Sequence, residues 1–294
     1  MPDASLSRSD PMHRGLTDDL RLAHLLADDA DSLTMSRFKA LDLRVSAKPD
    51  LSPVTDADTA VEESIRRTLG RARPRDAVHG EEMPDTGWGP RRWVIDPIDG
   101  TKNFVRGVPV WATLIALMIH DEVAVGVVSA PALGRRWWAS LGGGAYAGKS
   151  LRSAAPCHVS EVTAIPDASM SYAEVGEWVE AGQGQQFVDL MRGCWRTRAY
   201  GDFWSYMLLA EGAVDIACEP ELELYDMAAC SIVVTEAGGS FTDLDGRSGP
   251  LGAGAYATNG HLHEAVLAAL RPEDGDDEGL EAELDDADEA AHPH

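Results

Sequence analysis

From Leu16 to Leu43 apolar residues return every three or four positions, which predicts one or two amphipathic helices. Leu22, Leu25, Leu26, Leu33 and Phe38 are the candidates for the buried stripe, and the intervening aspartates make a wet face. Lys48-Pro49-Asp50-Leu51-Ser52-Pro53 has two prolines and no period, and reads as loop. Thr55 before Asp56-Ala57-Asp58 has the form of a helix N-cap with acids in the first turn. Val61, Ile65 and Leu69 continue that helix at four-residue spacing until Pro74 ends it. Ala77-Val78-His79 then reads as a short strand delivering Gly80-Glu81-Glu82, and Trp93-Val94-Ile95 as the end of a buried strand. Leu114–Met118 and Val123–Val128 flank Asp121-Glu122 as a hairpin. Trp137-Trp138, followed by glycines at 142–144, predicts one more strand and turn.

Past Cys157 the pattern alternates. It predicts a strand at Ala168–Tyr172, helices at Gln183–Arg192 and Phe203–Glu211, a strand at Val214–Ala217, a helix at Asp226–Ala237, a strand around Phe241 and a last helix at 261–270. Alternation of this kind argues for an α/β half. The chain thus divides into residues 12–155 and 156–270, with 1–11 and 271–294 as disordered ends.

Composition narrows the function. The 294 residues carry a net charge of −24, which excludes a nucleic-acid backbone as partner. Eleven acids and no base stand between Glu273 and Glu289, a run that stays solvated. No apolar run approaches the ~18–20 residues of a membrane span. The first residues have neither the basic nor the apolar region of a signal peptide. Cys157, Cys194, Cys218 and Cys230 are scattered and form no CxxC pair, as suits reduced thiols in the cytosol.

The chemistry concentrates at Trp93-Val94-Ile95-Asp96-Pro97-Ile98-Asp99-Gly100-Thr101. Pro97 fixes its own φ and biases Asp96 toward extended backbone. Two carboxylates held close at a strand end repel each other, and a hard divalent cation such as Mg²⁺ relieves that repulsion. Gly100 and Thr101 offer backbone N–H groups where a helix begins, a seat for a phosphate. Glu81 and Asp226 are two further acids at element ends. Each alone is no more than a dipole partner. Together, several carboxylates, an anion seat and no basic patch fit a multi-metal phosphatase that activates water. No Cys-x5-Arg loop is present, so no covalent phospho-enzyme is expected.

These residues closely resemble the inositol monophosphatase-like family of Mg²⁺-dependent phosphatases. The likeness lies in Ser52-Pro53-Val54-Thr55-Asp56-Ala57-Asp58, in Gly80-Glu81-Glu82, in Trp93 through Phe104, and in Tyr225-Asp226-x-x-Ala229 with Glu236-Ala237-Gly238-Gly239. Tyr225 and Cys230 stand where many members have Trp and Gly. The resemblance implies a layered α/β/α/β/α sandwich of the inositol monophosphatase and fructose-1,6-bisphosphatase type, usually dimeric, with the site between its halves. It implies a first metal on Glu81, Asp96 and the carbonyl of Ile98, and a second on Asp96, Asp99 and Asp226, for two or three Mg²⁺ in all. Glu81 and Thr101, the latter oriented by Asp58, would position and deprotonate the attacking water. Ile98, Asp99, Gly100 and Thr101 would surround the phosphate.

Substrate choice is expected from the second half. Asp202, in Arg198-Ala199-Tyr200-Gly201-Asp202-Phe203-Trp204-Ser205-Tyr206, stands where inositol phosphatases carry a small neutral residue. Glu219 matches the family position that touches the leaving group. Two acids there suit a cationic alcohol and disfavour a bisphosphate. Gly201–Tyr206 and Glu211–Asp215 also resemble the histidinol-phosphatase branch of the family, of the actinobacterial type. This implies L-histidinol phosphate as substrate, with Arg198 approaching Asp202 or a substrate oxygen. The alternative role for Asp202 is helix N-capping. The alternative functions are hydrolysis of inositol 1-phosphate or of a range of sugar phosphates, and a non-catalytic regulator that binds partners through its acidic tail.

Overall fold

The computed structural model describes residues 11–49 and 52–271, with side chains described from residue 15 onward. The expectations for residues 1–10 and for the acidic tail lie outside the described residues.

Helix α1 (Pro11–Arg37) is one continuous helix that stops short of Leu43. Its buried face is Leu16, Leu22, Ala23, Leu26, Ala27 and Ala30, whereas Leu25 is 61 % exposed. Alanines take the place expected of Leu25 because a small side chain lets the helix lie close on the sheet. The stretch expected as loop is bracketed by a two-stranded hairpin, β1 (Val45–Ala47) with β2 (Pro53–Thr55). Thr55 caps α2 (Asp56–Ala72) through a reciprocal pair with Asp58.

Seven strands form the first sheet in chain order: β3 (Ala77–Gly80), β4 (Arg91–Asp99), β5 (Ala112–Ile119), β6 (Glu122–Ala130), β7 (Arg135–Ser140), β8 (Gly144–Ser150) and β9 (Ser153–Pro156). Only β3 and β4 run parallel in it. A short α3 (Thr101–Arg106) leaves the end of β4. The hairpin expected between 114 and 128 is present with longer arms, β5 and β6, which turn at His120 and Asp121.

The second sheet has the order β11-β10-β12-β14-β13. Its strands are β10 (Ser169–Ser171), β11 (Arg196–Arg198), β12 (Ile216–Glu219), β13 (Ser240–Thr242) and β14 (Ala255–Thr258). With it come α4 (Val175–Glu180), α5 (Gly184–Gly193), α6 (Asp202–Ala210), α7 (Leu224–Glu236) and α8 (His263–Ala269).

Packing stacks these elements into five layers. One apolar cluster joins α1 and α2 to the first sheet through Leu26, Ile65, Trp93, Ile95, Val125 and Trp138. A second joins the other face of that sheet to α6, α7 and the near face of the second sheet, with Trp137, Met207, Val233, Ala217 and Ala257 among its members. A third packs Trp178 of α4, Phe187 of α5 and Val266 of α8 on the far face of the second sheet. Along β12, Ile216 and Cys218 face the third cluster while Ala217 faces the second, as strand alternation requires. The order is therefore α/β/α/β/α. Helix α7 lies in the middle layer and is buried from Met227 through Val234, so it is apolar on every side. It comes so close to β6 that a Cβ on Gly126 would lie 2.5 Å from Ile232 Cγ2 and 3.0 Å from the Ala229 carbonyl oxygen.

Candidate active site

Strand β4 is buried from Trp93 through Ile98, and its register against β5 breaks between Asp96 and Asp99. The break turns both carboxylates out of the ladder. Asp96 Oδ1 accepts the N–H of Ile98 at 3.0 Å, and Thr113 Oγ1 donates to the Pro97 carbonyl at 2.8 Å, so the turn is fixed on two sides. Gly100 follows at φ 81° and ψ 38°, a left-handed conformation natural to glycine. A Cβ there would meet the Val110 carbonyl oxygen at 3.1 Å and Asp202 Oδ2 at 3.2 Å.

The third acid arrives on α7. Asp226 is the third residue of that helix and accepts the N–H of Glu223 at 2.8 Å, closing a capping box. Asp96, Asp99 and Asp226 each place a carboxylate oxygen within 4.8 Å of the other two. Burial, reinforced by neighbouring carboxylates, raises Asp96 and Asp99 far above the ordinary carboxylate range. Asp226 is raised by the same causes. Three acids, Asp96 buried and Asp99 and Asp226 half-buried, converging on one point are a costly arrangement for a bare protein and an apt one for a hard cation. The donor set therefore fits a divalent metal.

Glu81 stands beside this triad, and its charge helps to raise Asp96. Its N–H donates to the Ile95 carbonyl at 3.2 Å, which ties the end of β3 to β4. Lys48, which the sequence did not single out, lies 2.5 Å from Glu81 Oε1 and 2.8 Å from Glu82 Oε1. Thr101 Oγ1 is 2.8 Å from the Ile98 carbonyl oxygen and 3.4 Å from Asp58 Oδ1. Its single proton goes to the nearer acceptor, so Asp58 is the second choice in this arrangement. Burial pushes Asp58 up to about 6, against hydrogen bonds from the Thr55 hydroxyl and backbone N–H that favour its charged form.

A cavity of about 270 Å³ adjoins these groups. Glu81, Asp99, Gly100 and Thr101 line it from the first half of the chain, and Asp202, Glu219 and Asp226 from the second. Asp202 opens α6, but Gly201 occupies the cap position and Asp202 makes no capping bond. Its Oδ2 accepts from Asn103 Nδ2 at 3.0 Å, and its φ of 49° is left-handed. The capping alternative for Asp202 is therefore set aside. Burial holds its carboxyl up at about 6. Glu219, at the end of β12, is 4 % exposed, and its Oε1 has no hydrogen-bond partner. Burial, then the charge of Asp202, raises it well above its ordinary value.

Arg198 departs from expectation. It is exposed, donates to the Thr197 carbonyl at 2.7 Å and is not among the residues that line the cavity. It ends β11, the edge strand of the second sheet, and its side chain lies in solvent. The cation at the cavity is instead Lys102, paired with Glu174 at 2.8 Å. Glu177 and Glu221 line the cavity as well, and no motif marked either of them.

Comparison with known proteins agrees with this geometry. Residues 17–274 match the model of the inositol monophosphatase family. A protein of Streptomyces coelicolor named histidinol-phosphatase is 63% identical over 86% of this chain and 97% of its own length. A histidinol-phosphatase of Mycobacterium tuberculosis is 57% identical over 86% of this chain and 98% of its own. The solved structure of an inositol monophosphatase from Zymomonas mobilis superposes with a TM-score of 0.76 at 32% identity, covering 86% of this chain and 98% of that one. The chain belongs to the inositol monophosphatase family.

Proposed function

We propose that this chain is a Mg²⁺-dependent phosphomonoesterase that hydrolyses L-histidinol phosphate to L-histidinol and phosphate. The observation that carries the substrate is the acidic side of the cavity. Glu219 is buried there with only the Tyr206 hydroxyl beside it and no ion-pair partner among the described residues, and Asp202 stands near it in a left-handed conformation. A buried carboxylate without a cation is costly, and an ammonium group is the fitting partner. The names of the two relatives point to the same ester.

Glu81, Asp96 and the Ile98 carbonyl would hold one ion, and Asp96, Asp99 and Asp226 another, for two or three Mg²⁺ per site. When bound, the metal acidifies water and neutralises the ester's charge. The chain's own groups do the rest. The Gly100 and Thr101 N–H groups hold phosphate oxygens. Thr101 Oγ1 and Glu81 orient the attacking water and receive its proton, and Asp58 is the nearby acceptor to which the Thr101 hydroxyl turns once the Ile98 carbonyl is engaged. Water adds to phosphorus, the P–O ester bond breaks, and the departing alkoxide takes a proton from a solvent water, while the proton left on Glu81 returns to solvent. Asp202 and Glu219 hold the cationic alcohol meanwhile.

The same reading is of a cytosolic homodimer; light scattering on the purified chain checks the dimer. The decisive test is phosphate release with Mg²⁺ from L-histidinol phosphate and inositol 1-phosphate side by side. A preference of about a hundredfold for the former, ~3 kcal/mol in transition-state binding, is the expected result. A preference for inositol 1-phosphate overturns the substrate and keeps the catalytic groups.

A further inference from the structure

Glu62 is a buried charge that the reaction does not use. It lies on α2 one turn after Asp58, and its side chain is wholly buried. Its carboxylate faces the end of β3. Oε2 accepts the N–H of Glu82 at 2.8 Å, and Oε1 accepts the N–H of Met83 at 3.2 Å. Arg66, a turn further along α2, donates through Nε to Glu62 Oε1 at 2.7 Å. The same guanidinium donates to the Met83 carbonyl at 3.0 Å and to Thr86 Oγ1 at 3.1 Å. Met83 is thus held at its N–H by the carboxylate and at its carbonyl by the guanidinium.

The segment they hold carries Glu81. Strand β3 is an edge of the first sheet. Its ladder with β4 ends at Gly80, with one more bond from the Glu81 N–H to the Ile95 carbonyl. The chain then doubles back along the open edge, where Thr86 bridges to Val78. Residues 81–85 between these anchors belong to no strand. Glu62 and Arg66 supply the partners that a neighbouring strand would otherwise give.

Gly80 makes room for the clamp. A Cβ on it would lie 2.2 Å from Glu62 Oε1 and 2.5 Å from its Cδ, so the carboxylate of Glu62 fills the space of the missing side chain. The glycine in Gly80-Glu81-Glu82 therefore has a steric reason that lies on another element.

A buried carboxylate–guanidinium pair often contributes no more stability than an apolar pair of the same volume. Val61, Ile65 and Leu69 already pack α2 on the sheet. What Glu62 and Arg66 add is direction, because hydrogen bonds fix the N–H and C=O groups that receive them.

We infer, on the proposed reading of Glu81 as a ligand of the first metal ion and a holder of the attacking water, that Glu62, backed by Arg66, is the positioning residue for Glu81. It clamps the two peptide groups that follow Glu81 and so aims the Glu81 carboxylate. Groups that hold a metal need to be fixed within about 0.5 Å, and hydrogen-bonded supports behind them do this. Helix α2 then serves the site with two carboxylates one turn apart, Asp58 toward Thr101 and Glu62 toward the base of Glu81.

Isothermal titration of Mg²⁺ into the metal-free full chain, with kcat and KM for its ester substrate, tests this on Glu62→Gln. Glutamine keeps the volume, but it brings an NH₂ group against a backbone N–H or the Arg66 guanidinium. Mg²⁺ binding is expected to weaken at least tenfold and kcat at saturating Mg²⁺ to fall at least tenfold, with the ester KM within twofold of the parent. Ile65→Val thins the core contact of the same helix, and it is expected to lower the melting temperature and leave Mg²⁺ binding and kcat as they are. Glu81→Gln gives the reference loss. Parent-like Mg²⁺ binding and kcat in Glu62→Gln, beside a loss in Glu81→Gln, make Glu62 a purely structural residue and overturn the inference alone. Mg²⁺ binding weakened as much by Ile65→Val overturns it too. Parent-like binding in Glu81→Gln, or a parent that binds no Mg²⁺, overturns the reading of Glu81 and the inference with it. Should Glu62→Gln not fold, Arg66→Lys decides: one ammonium cannot serve Glu62, Met83 and Thr86 together, so Mg²⁺ binding at least threefold weaker supports the clamp and parent-like binding overturns it.

Discussion

Asp99 caps helix α6 from the opposite half of the chain: its Oδ2 accepts the N–H of Phe203 at 2.7 Å. One carboxylate therefore belongs to the acid triad and also satisfies a helix end. Asp99→Asn keeps an oxygen for the Phe203 N–H and removes a charge from a crowded site. We expect turnover to fall by two or more orders of magnitude, with thermal stability equal to or above the parent. Asp99→Ala gives up the cap as well, at a cost of about 0.5–2 kcal/mol before any relief of repulsion. Phosphate release and melting curves on both variants check this, and an unchanged rate in Asp99→Asn sinks the metal assignment.

Asp202 adopts a backbone conformation that Asn tolerates as well as Asp does, so Asp202→Asn isolates the charge. A hydrogen bond to a charged group contributes about 1.5–3 kcal/mol. Loss of that much lowers kcat/KM for L-histidinol phosphate about ten- to hundredfold, mainly through KM. Inositol 1-phosphate, which has no ammonium, is hydrolysed as before. Equal losses on both substrates argue against recognition by Asp202.

Lys48 holds Glu81, the residue proposed to bind the first metal ion, so the two would compete. The half-buried ammonium lies between two glutamates at 2.5 and 2.8 Å, and this pairing pushes its pKa above the ordinary lysine value, so it stays charged. Lys48→Met removes the competitor. We expect Mg²⁺ to bind severalfold more tightly and to raise the melting temperature further at a given concentration, as a ligand that binds only the folded state does. EDTA lowers the melting temperature of the parent and abolishes turnover. A weaker Mg²⁺ effect in Lys48→Met refutes the competition.

His24 is held neutral by burial, with the Arg136 charge in support, and its pKa falls to about 4. Its folded value lies below its unfolded value of about 6.5, so the unfolded chain takes up a proton first as pH falls. Its contribution to stability is whole above pH ~6.5 and is lost between ~6.5 and ~4. Asp31, raised by burial, works in the opposite sense in part of that range. His24→Gln keeps an acceptor for Arg136 and does not titrate. Urea unfolding at pH 7.5 and 5, in a buffer without phosphate, gives a smaller loss of stability for the variant than for the parent.

The catalytic end of the cavity was legible in the sequence because its groups are punctuation. Asp96 and Asp99 close a buried apolar run, Asp226 opens an apolar helix, and Thr55 announces α2, so local pattern reveals where each one stands. The distal end was not. Glu177 lies on α4, a helix of six residues that is too short to show a period, and Lys48 lies in a hairpin whose strands have three residues each. Arg198 shows the reverse: its place near Asp202 in the chain suggested a place in the site, yet at the end of an edge strand it is exposed and lines no part of the cavity. Asp202 was found as a charge, but its left-handed backbone depends on the fit of α6 against Gly100 and Asn103, which no neighbour in sequence discloses.

Gly126 carries no polar side chain and lies in the apolar seam of the fold, yet it sets how far α7 sits from β6. Asp226 rides on the end of that same helix. The spacing of the oxygen cage is thereby gauged by an oily joint, in the way that a jaw is set by its hinge. Substitutions that thicken the seam would open the triad without touching a ligand, so the tolerance of the chemistry here is the tolerance of a hydrocarbon contact.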